Sequence, residues 1–484
     1  MRRRAVQIVC TIGPASSEPE TLERLVDAGM SVARVNFAHG SEEEHRETIA
    51  RIRAASSVKD QPVAVLQDLA GPKLRLGELE GGRLTLNQGD QLTLACGATK
   101  GGAQSLPVPD PNLAHEVRPG GPIVIGDGAV ELEVLEVDPP EIRARVVVGG
   151  EIASGKGINA PGGLSERPIM DEKDRADLRL GVELEVDLVG VSYVRTADDL
   201  SSVRRTLRSL GRPVPLVAKI ETARALEHLD EVLARTDAVM IARGDLSLEI
   251  PYERVPIEQK RIVQAAVRAG RPVITATQML QSMVSASRPT RAEANDVANA
   301  VLDGTDAVML SDETAVGSDP VRACRTMARI VEETQAAFPD FPETPLDGIG
   351  EELRELVVFS RAAVRTARDV GASAIVTWSR GGLAARLLSR QRPRVPILAP
   401  TRFGDTWRRL ALLYGVHPLL CPQGRLRPEQ LQAALGKLDG RDLMLVVGHI
   451  PGERRRMPWM GLVRVADSEA WSQDTRDTGP FGRP

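Results

Sequence analysis

Val214-Pro215-Leu216-Val217-Ala218-Lys219-Ile220-Glu221 and Ala238-Val239-Met240-Ile241-Ala242-Arg243-Gly244-Asp245 are two apolar runs that each end abruptly in charge. Apolar runs of this length, without polar alternation, read as strands buried on both faces, as in a parallel sheet covered by helices. The first run delivers a lysine and a carboxylate at its end, and the second delivers another carboxylate. Two acids and an amine converging from adjacent parallel strands suit a divalent metal beside a lysine, an arrangement for phosphoryl transfer. Taken alone, the two segments could also be read as solvated sheet edges, which is the lesser of the two readings.

Working outward, the same construction recurs eight times between Gln7 and Glu313. Apolar runs stand at Gln7–Ile12, Val32–Phe37, Val63–Leu69, Leu188–Val194, Pro215–Ile220, Ala238–Ala242, Val273–Thr277 and Ala307–Leu310. Segments of helical periodicity separate most of them, among them Pro19–Ala28, Glu42–Ala55, Ala223–Leu233 and Ile257–Ala269. Such alternation predicts an α/β protein built on a closed (β/α)8 TIM barrel, with its chemistry where the strands end. Reading off those ends collects Arg34, Asn36, Asp68, Lys219, Glu221, Asp245, Thr277, Ser311 and Glu313 at one rim.

The barrel is expected in two parts, residues 1–71 and 169–340, because the helical pattern vanishes in between. Residues 72–168 are rich in Gly and Pro, with period-2 alternation at Arg83–Leu86, Gln91–Leu94, Val130–Val137 and Ile142–Val148. They predict a small inserted β-barrel domain. An insertion after a barrel strand emerges over the active rim, so it is placed to act as a lid that excludes water. A Pro-rich break after Phe338 leads to a C-terminal open α/β domain at 350–467, with a helix over Leu353–Arg368. Its apolar runs are Ala374–Thr377, Val395–Leu398, Pro418–Cys421 and Leu443–Val447, and a polar tail at 468–484 follows.

Composition agrees. The 484 residues suffice for about three domains. The net charge of −4 argues against nucleic acid or anionic membrane as partners. No stretch approaches the roughly 20 apolar residues of a membrane-spanning helix. Basic Met1–Arg4 is followed by too short an apolar run for a signal peptide, so the first strand is the better reading. Cys10, Cys96, Cys324 and Cys421 are scattered without a CxxC pair, which predicts reduced core thiols in a cytoplasmic protein.

With these residues in view, the chain resembles the pyruvate kinase family over essentially its whole length. The similar segments include Cys10-Thr11-Ile12-Gly13-Pro14, Ala33-Arg34-Val35-Asn36-Phe37-Ala38-His39-Gly40, Asp68-Leu69-Ala70-Gly71-Pro72-Lys73 and Lys219-Ile220-Glu221. Further along come Ala242-Arg243-Gly244-Asp245-Leu246, Ala276-Thr277-Gln278-Met279-Leu280, Arg288-Pro289-Thr290-Arg291-Ala292-Glu293 and Asp296-Val297-Ala298-Asn299-Ala300. The resemblance implies Mg²⁺-dependent transfer of phosphate from phosphoenolpyruvate to ADP, giving pyruvate and ATP, with Mn²⁺ an admissible substitute. It implies Glu221 and Asp245 as the Mg²⁺ ligands and Lys219 beside the migrating phosphoryl and the developing enolate. Arg34 would grip the phosphate, and Thr277 would orient a water or substrate. Gly244, Asp245 and Thr277 would line the substrate, while His39 and Arg75 would meet the nucleotide phosphates. Glu313 would belong to the proton-relay neighbourhood, with Ser311 a further candidate beside it at the rim. A homotetramer is implied by the family alone.

Two departures matter. Potassium-requiring members of the family carry glutamate where this chain has Lys73, serine at Ala38 and threonine at Leu69. The monovalent-cation site built on Asn36, Asp68 and Leu69 would here receive the Lys73 ammonium near Asp68, so the enzyme is expected to need no K⁺. In the C-terminal domain, Thr377, Trp378, Ser379, Arg380, Gly381 and Gly382 lead into a helix at Leu383–Leu388, a candidate cradle for an anionic effector. A second effector loop would be Gly448–Met457, with Arg454, Arg455 and Arg456. Two rivals stand beside this reading: a catalytically silent scaffold or metabolite sensor, and a Mg²⁺-dependent aldolase-type barrel acting on pyruvate or phosphoenolpyruvate. Retention of Arg34, Asp68, Lys219, Glu221, Asp245 and Thr277 argues against the first. The inserted lid, His39 and Arg75 argue against the second.

Overall fold

Eight apolar strands pair in parallel and close on themselves. They are β1 (Gln7–Ile12), β2 (Met30–Asn36), β3 (Ala64–Asp68), β4 (Leu188–Val191), β5 (Leu216–Ile220), β6 (Ala238–Ala242), β7 (Val273–Ala276) and β8 (Ala307–Leu310). Their order around the barrel is β1-β8-β7-β6-β5-β4-β3-β2. Every residue of β1, β3, β4, β6, β7 and β8 is buried, which is why these strands lack a polar face. The computed structural model describes residues 4–126, 128–161, 167–338, 341, 345, 351–436, 442–450 and 457–464.

Local signals set the connecting helices. Ser41 caps the helix Glu42–Val58 in a reciprocal box with Glu44, and Thr290 does the same with Glu293 for Arg291–Asp303. The segment expected as one helix over Ala223–Leu233 is broken into Ala223–Glu227 and Leu229–Arg235. His228, at φ −104° and ψ 24°, leaves the helical region between them. No described helix is long and apolar enough to cross a membrane. The four cysteines are buried and unbridged, as expected.

The chain divides into two compact units, Met1–Gln67 with Leu184–Val189 and Val263–Pro484, and Asp68–Glu183 with Gly190–Ile262. The first contains the C-terminal sheet of β9 (Ala374–Thr377), β10 (Ile397–Thr401), β11 (Val416–Leu420), β12 (Leu443–Ile450) and β13 (Met457–Arg464). Its order is β11-β10-β9-β12-β13, and β13 runs antiparallel to β12. The sequence reading misses β13 because Pro458 and Gly461 break its pattern, which an edge strand tolerates. Gly448, expected in a loop, pairs with Trp459 inside this ladder. Arg454, Arg455, Arg456 and the tail 468–484 lie outside the described residues.

Two buried aspartates join the C-terminal domain to the barrel within this unit. Asp187, just ahead of β4, accepts from Arg53 Nη1 (2.7 Å), Arg408 Nε (2.8 Å) and the Val65 amide (2.9 Å). Asp306, just ahead of β8, takes a two-bond fork from Arg392 at 2.8 and 2.9 Å.

The second unit contains the insertion. Expected as a small β barrel, it is built from a seven-stranded sheet and two two-stranded ladders. Among the described residues only the eight-stranded parallel sheet closes. Leu94, Leu106, Ile123, Ile125, Val130, Leu132 and Ile142 form the insertion's core, and Tyr193, from the segment after β4, packs against it.

Replacing Asp187 by alanine leaves two guanidinium groups and an amide without their acceptor in a buried place. Asp187→Ala is expected to cost about 3 kcal/mol, read as a lower urea midpoint of the full chain. A wild-type midpoint would show that this joint contributes nothing.

Candidate active site

The second unit brings together most of the charged residues read from the sequence. Lys219, near the end of β5, donates to Ser192 Oγ at 2.8 Å and lies 3.4 Å from Asp68 and 3.5 Å from Glu221. Ser192 in turn donates to the Leu69 carbonyl at 2.7 Å, so the segment after β4 is tied to the end of β3. Only 12% of the Lys219 side chain is exposed, which leaves these groups to set where its ammonium points. Asp245 does not sit on a strand end. It lies in the first turn of the short helix Arg243–Glu249 that Gly244 helps to open.

Glu221 is buried, and its Oε1 accepts the Tyr193 amide at 2.5 Å. Its Oε2 is also buried and accepts no hydrogen bond among the described residues. Burial pushes the Glu221 carboxyl up to about 7; Lys219 opposes this, whereas Asp245 adds to it. The Lys219 ammonium stands 3.5 Å from this oxygen, and Glu221 and Asp245 line one cavity whose two carboxylates suit a further cation. Among the described residues no three His, Cys, Asp or Glu cluster for a metal. Two carboxylates are nevertheless what Mg²⁺ takes from a protein, since it keeps waters and shares substrate oxygens.

The cavity is lined by Lys73, Tyr193, Glu221 and Asp245 with the insertion residues Gly157 and Asn159. Lys73 lies 3.5 Å from Asp245, whereas the aspartate expected beside it, Asp68, pairs with Lys219. The insertion decides this placement. A Cβ on Gly157 would come within 2.8 Å of Lys73 Cε, so the strand Gly157–Asn159 lies directly on the lysine stem. Arg75, expected at the nucleotide, is exposed on its strand and donates to the Gly155 carbonyl at 3.1 Å.

The remaining candidates belong to the first unit. Arg34 donates to Thr11 Oγ1 at 3.0 Å, and Thr11 donates to the Leu310 carbonyl at 2.9 Å. Asn36 accepts the Ala38 amide at 3.1 Å. His39 is exposed; the packed histidine of this region is His45, stacked on Phe37 at 3.9 Å. Thr277 and Gln278 have φ of +69° and +53°, strained values for residues with a Cβ, and the former is β-branched. Glu313 is buried and accepts the Leu280 amide at 2.9 Å and the Ser311 amide at 2.7 Å. It thereby clamps the strained turn after β7 to the turn after β8. Burial raises the pKa of its carboxyl.

In the C-terminal domain, Ser379 Oγ accepts the Gly382 amide at 2.9 Å, and the helix Leu383–Arg390 begins directly after it. Thr377 Oγ1 is buried and makes no hydrogen bond among the described residues, and Thr406 donates to the Arg380 carbonyl at 2.9 Å. Trp378 packs against the core formed by Val376, Leu398 and Met444, so it does not fill the turn.

A lysine between two carboxylates, a second cation on Asp245 and an insertion covering them make a site for moving charged phosphoryl groups. Models of the pyruvate kinase barrel domain and α/β domain match residues 3–324 and 358–449. The chain belongs to the pyruvate kinase family. Pyruvate kinase 2 of Synechocystis sp. is 42% identical over 438 residues, covering 89% of this chain and 73% of that one. The pyruvate kinase of Geobacillus stearothermophilus is 38% identical over 501 residues, 99% and 84% of the two chains. Pyruvate kinase PKLR of Homo sapiens is 40% identical over 484 residues, 96% and 81%. As a pyruvate kinase homologue, the protein is a phosphotransferase.

Sequence reasoning collected no rim residue from the fourth strand and so missed Ser192 and Tyr193, although both stand within the apolar run Leu188–Val194. Ser192→Ala removes one hydrogen-bond acceptor of Lys219. The variant is expected to lower kcat about tenfold, the size of one hydrogen bond to a charged group, and to lower the unfolding midpoint because the buried Leu69 carbonyl loses the same hydroxyl. Unchanged kcat would mean that Lys219 needs no such support.

Proposed function

We propose that the protein transfers the phosphoryl group of phosphoenolpyruvate to ADP, yielding pyruvate and ATP, with Mg²⁺ and without K⁺. The placement of Lys219 carries the reading: a largely enclosed ammonium held by Ser192 beside Asp68 and Glu221. Glu221 and Asp245 would hold Mg²⁺, which when bound neutralises charge on phosphate and carboxylate oxygens. Lys219 offers fixed positive charge where the phosphoryl migrates and the enolate develops. Arg34, whose planar fork matches a phosphate, grips the transferred group. Thr277 orients the water or substrate group that protonates enolpyruvate, and Glu313 holds its loop. His39 and Arg75 are exposed and meet the nucleotide phosphates. The insertion strand Gly157–Asn159 helps to keep water from the site.

Lys73 supplies the positive charge that a monovalent ion supplies elsewhere in the family. Its ammonium stands at Asp245 in the same cavity as Glu221, which supports a tethered cation serving the whole acidic cluster. We further propose that the turn Thr377–Gly382 holds an anionic effector and that the enzyme is a homotetramer, both on the strength of family likeness.

Pyruvate formation from phosphoenolpyruvate and ADP with Mg²⁺ tests the reaction, in K⁺-free Tris buffer and again with about 100 mM KCl. Equal turnover in both is expected. Turnover only with KCl would refute the role of Lys73 and keep the reaction. No pyruvate in either would return the silent scaffold. Lys219→Met is expected to lower kcat by about 10²–10³-fold. Lys73→Glu should lose activity and regain little with KCl, since Ala38 brings no hydroxyl to an ion; full rescue would overturn the assignment.

A further inference from the structure

Thr277 and Gln278 carry left-handed backbone just past the end of β7, and such strain persists only where the surroundings over-determine it. The residues that follow are anchored accordingly. Met279 and Leu280 are buried, and the Leu280 amide donates to Glu313 at 2.9 Å. The chain then makes one 3₁₀ turn, Gln281–Val284, with Met283 buried. In that turn Ser282 meets a second carboxylate. Its amide donates to Glu293 Oε1 at 2.6 Å and its hydroxyl to Glu293 Oε2 at 2.5 Å.

Glu293 does more than its own helix requires. A capping box asks its carboxylate for one bond, from the N-cap amide, and Glu293 accepts that bond from Thr290 at 2.7 Å. It also accepts the Thr290 hydroxyl at 2.9 Å, again on Oε2. One carboxylate thus ties the start of the helix Arg291–Asp303 to the turn after Thr277. Burial works to raise the Glu293 carboxyl, but the bonds from Ser282 and Thr290 outweigh it and hold it below the usual glutamate range. The group is therefore an anion, and its bonds to the turn are charge-assisted. Two oxygens are needed to serve the cap and the turn together, and a glutamine offers only one acceptor oxygen.

We propose that Glu293 is a positioning residue for the protonation of enolpyruvate, acting through Ser282 on the turn that carries Thr277. The inference rests on the role given to Thr277 above. In that step an oxygen lone pair of the enolate forms the C2 carbonyl while the C2–C3 π pair takes a proton at C3. The proton comes from the group that Thr277 orients, so the rate depends on where this hydroxyl points. Phosphoryl transfer is a separate step and does not. Without Glu293 the turn is held by Glu313 alone of the two carboxylates, and the strained backbone gains room to relax.

Two rates on the full chain separate the steps. Deuterium uptake into the pyruvate methyl group in D2O, followed by NMR with Mg²⁺ and ATP, reads proton transfer at C3. ATP formation from phosphoenolpyruvate and ADP reads phosphoryl transfer. Glu293→Gln, which still suits a capping box, is expected to slow methyl exchange at least about tenfold and ATP formation by less than about threefold. Ser282→Ala keeps the amide bond and is expected to slow exchange by a smaller factor. The double variant is expected to be no slower than Glu293→Gln alone, as for two groups acting through one contact. Glu293→Asp, still an anion, is expected to retain more exchange than Glu293→Gln, and it serves in its place should the glutamine variant fail to fold. Wild-type exchange in the Glu293 variants while Thr277→Ala loses it would overturn the proposal, as would ATP formation falling as far as exchange. Unchanged exchange in Thr277→Ala, or no exchange in the wild-type chain, would withdraw the role of Thr277 and this proposal with it.

Discussion

A lysine ammonium at the buried end of an apolar strand is the constraint around which this protein is arranged. Lys219 can stay charged there only if acceptors replace the water it has lost, and Ser192, Asp68 and Glu221 do so from three different segments. Each of those segments is fixed in turn. Ser192 holds the Leu69 carbonyl, Glu221 holds the Tyr193 amide, and Tyr193 packs into the core of the insertion. The barrel, the insertion and the acidic cluster of this unit are thus coupled through one charge. Burial raises the Glu221 carboxyl to about 7, and the Lys219 ammonium works against that rise.

The same economy governs the far ends of the strands. Asp187 and Asp306 each begin a barrel strand, and each is paired with an arginine from the C-terminal domain. Their backbone partners, the amides of Val65 and Val273, belong to β3 and β7. A buried pair of this kind adds little net stability but penalises every other docking arrangement, because any slip leaves a charge unpaired.

Much of the fold was legible because both-face burial leaves an unambiguous mark. A strand such as Ala238–Ala242 has no polar residue to suggest another environment, and its repetition with helical spacers specifies a barrel. The insertion was legible as β structure from period-2 alternation. Its strand pairing was not, because contacts such as Thr93 with Ser105 and Val124 with Asn159 depend on register across loops. Edge strand β13 was invisible, as Pro458 and Gly461 mimic a loop.

Residue types and their order determined by themselves that Lys219, Glu221, Asp68 and Asp245 would come from neighbouring strand ends or the turns beyond them. Short parallel elements leave few other places for them. Which ammonium meets which carboxylate was decided only by the tertiary structure. The insertion strand at Gly157 presses Lys73 to Asp245, while Ser192 supports Lys219 beside Asp68. The positive φ of Thr277 was likewise set by packing, since Glu313 clamps its turn from thirty-odd residues away. A one-dimensional pattern records which side chains are buried or charged. The partner of each is chosen by distances of a few ångströms that only the closed barrel and its insertion define.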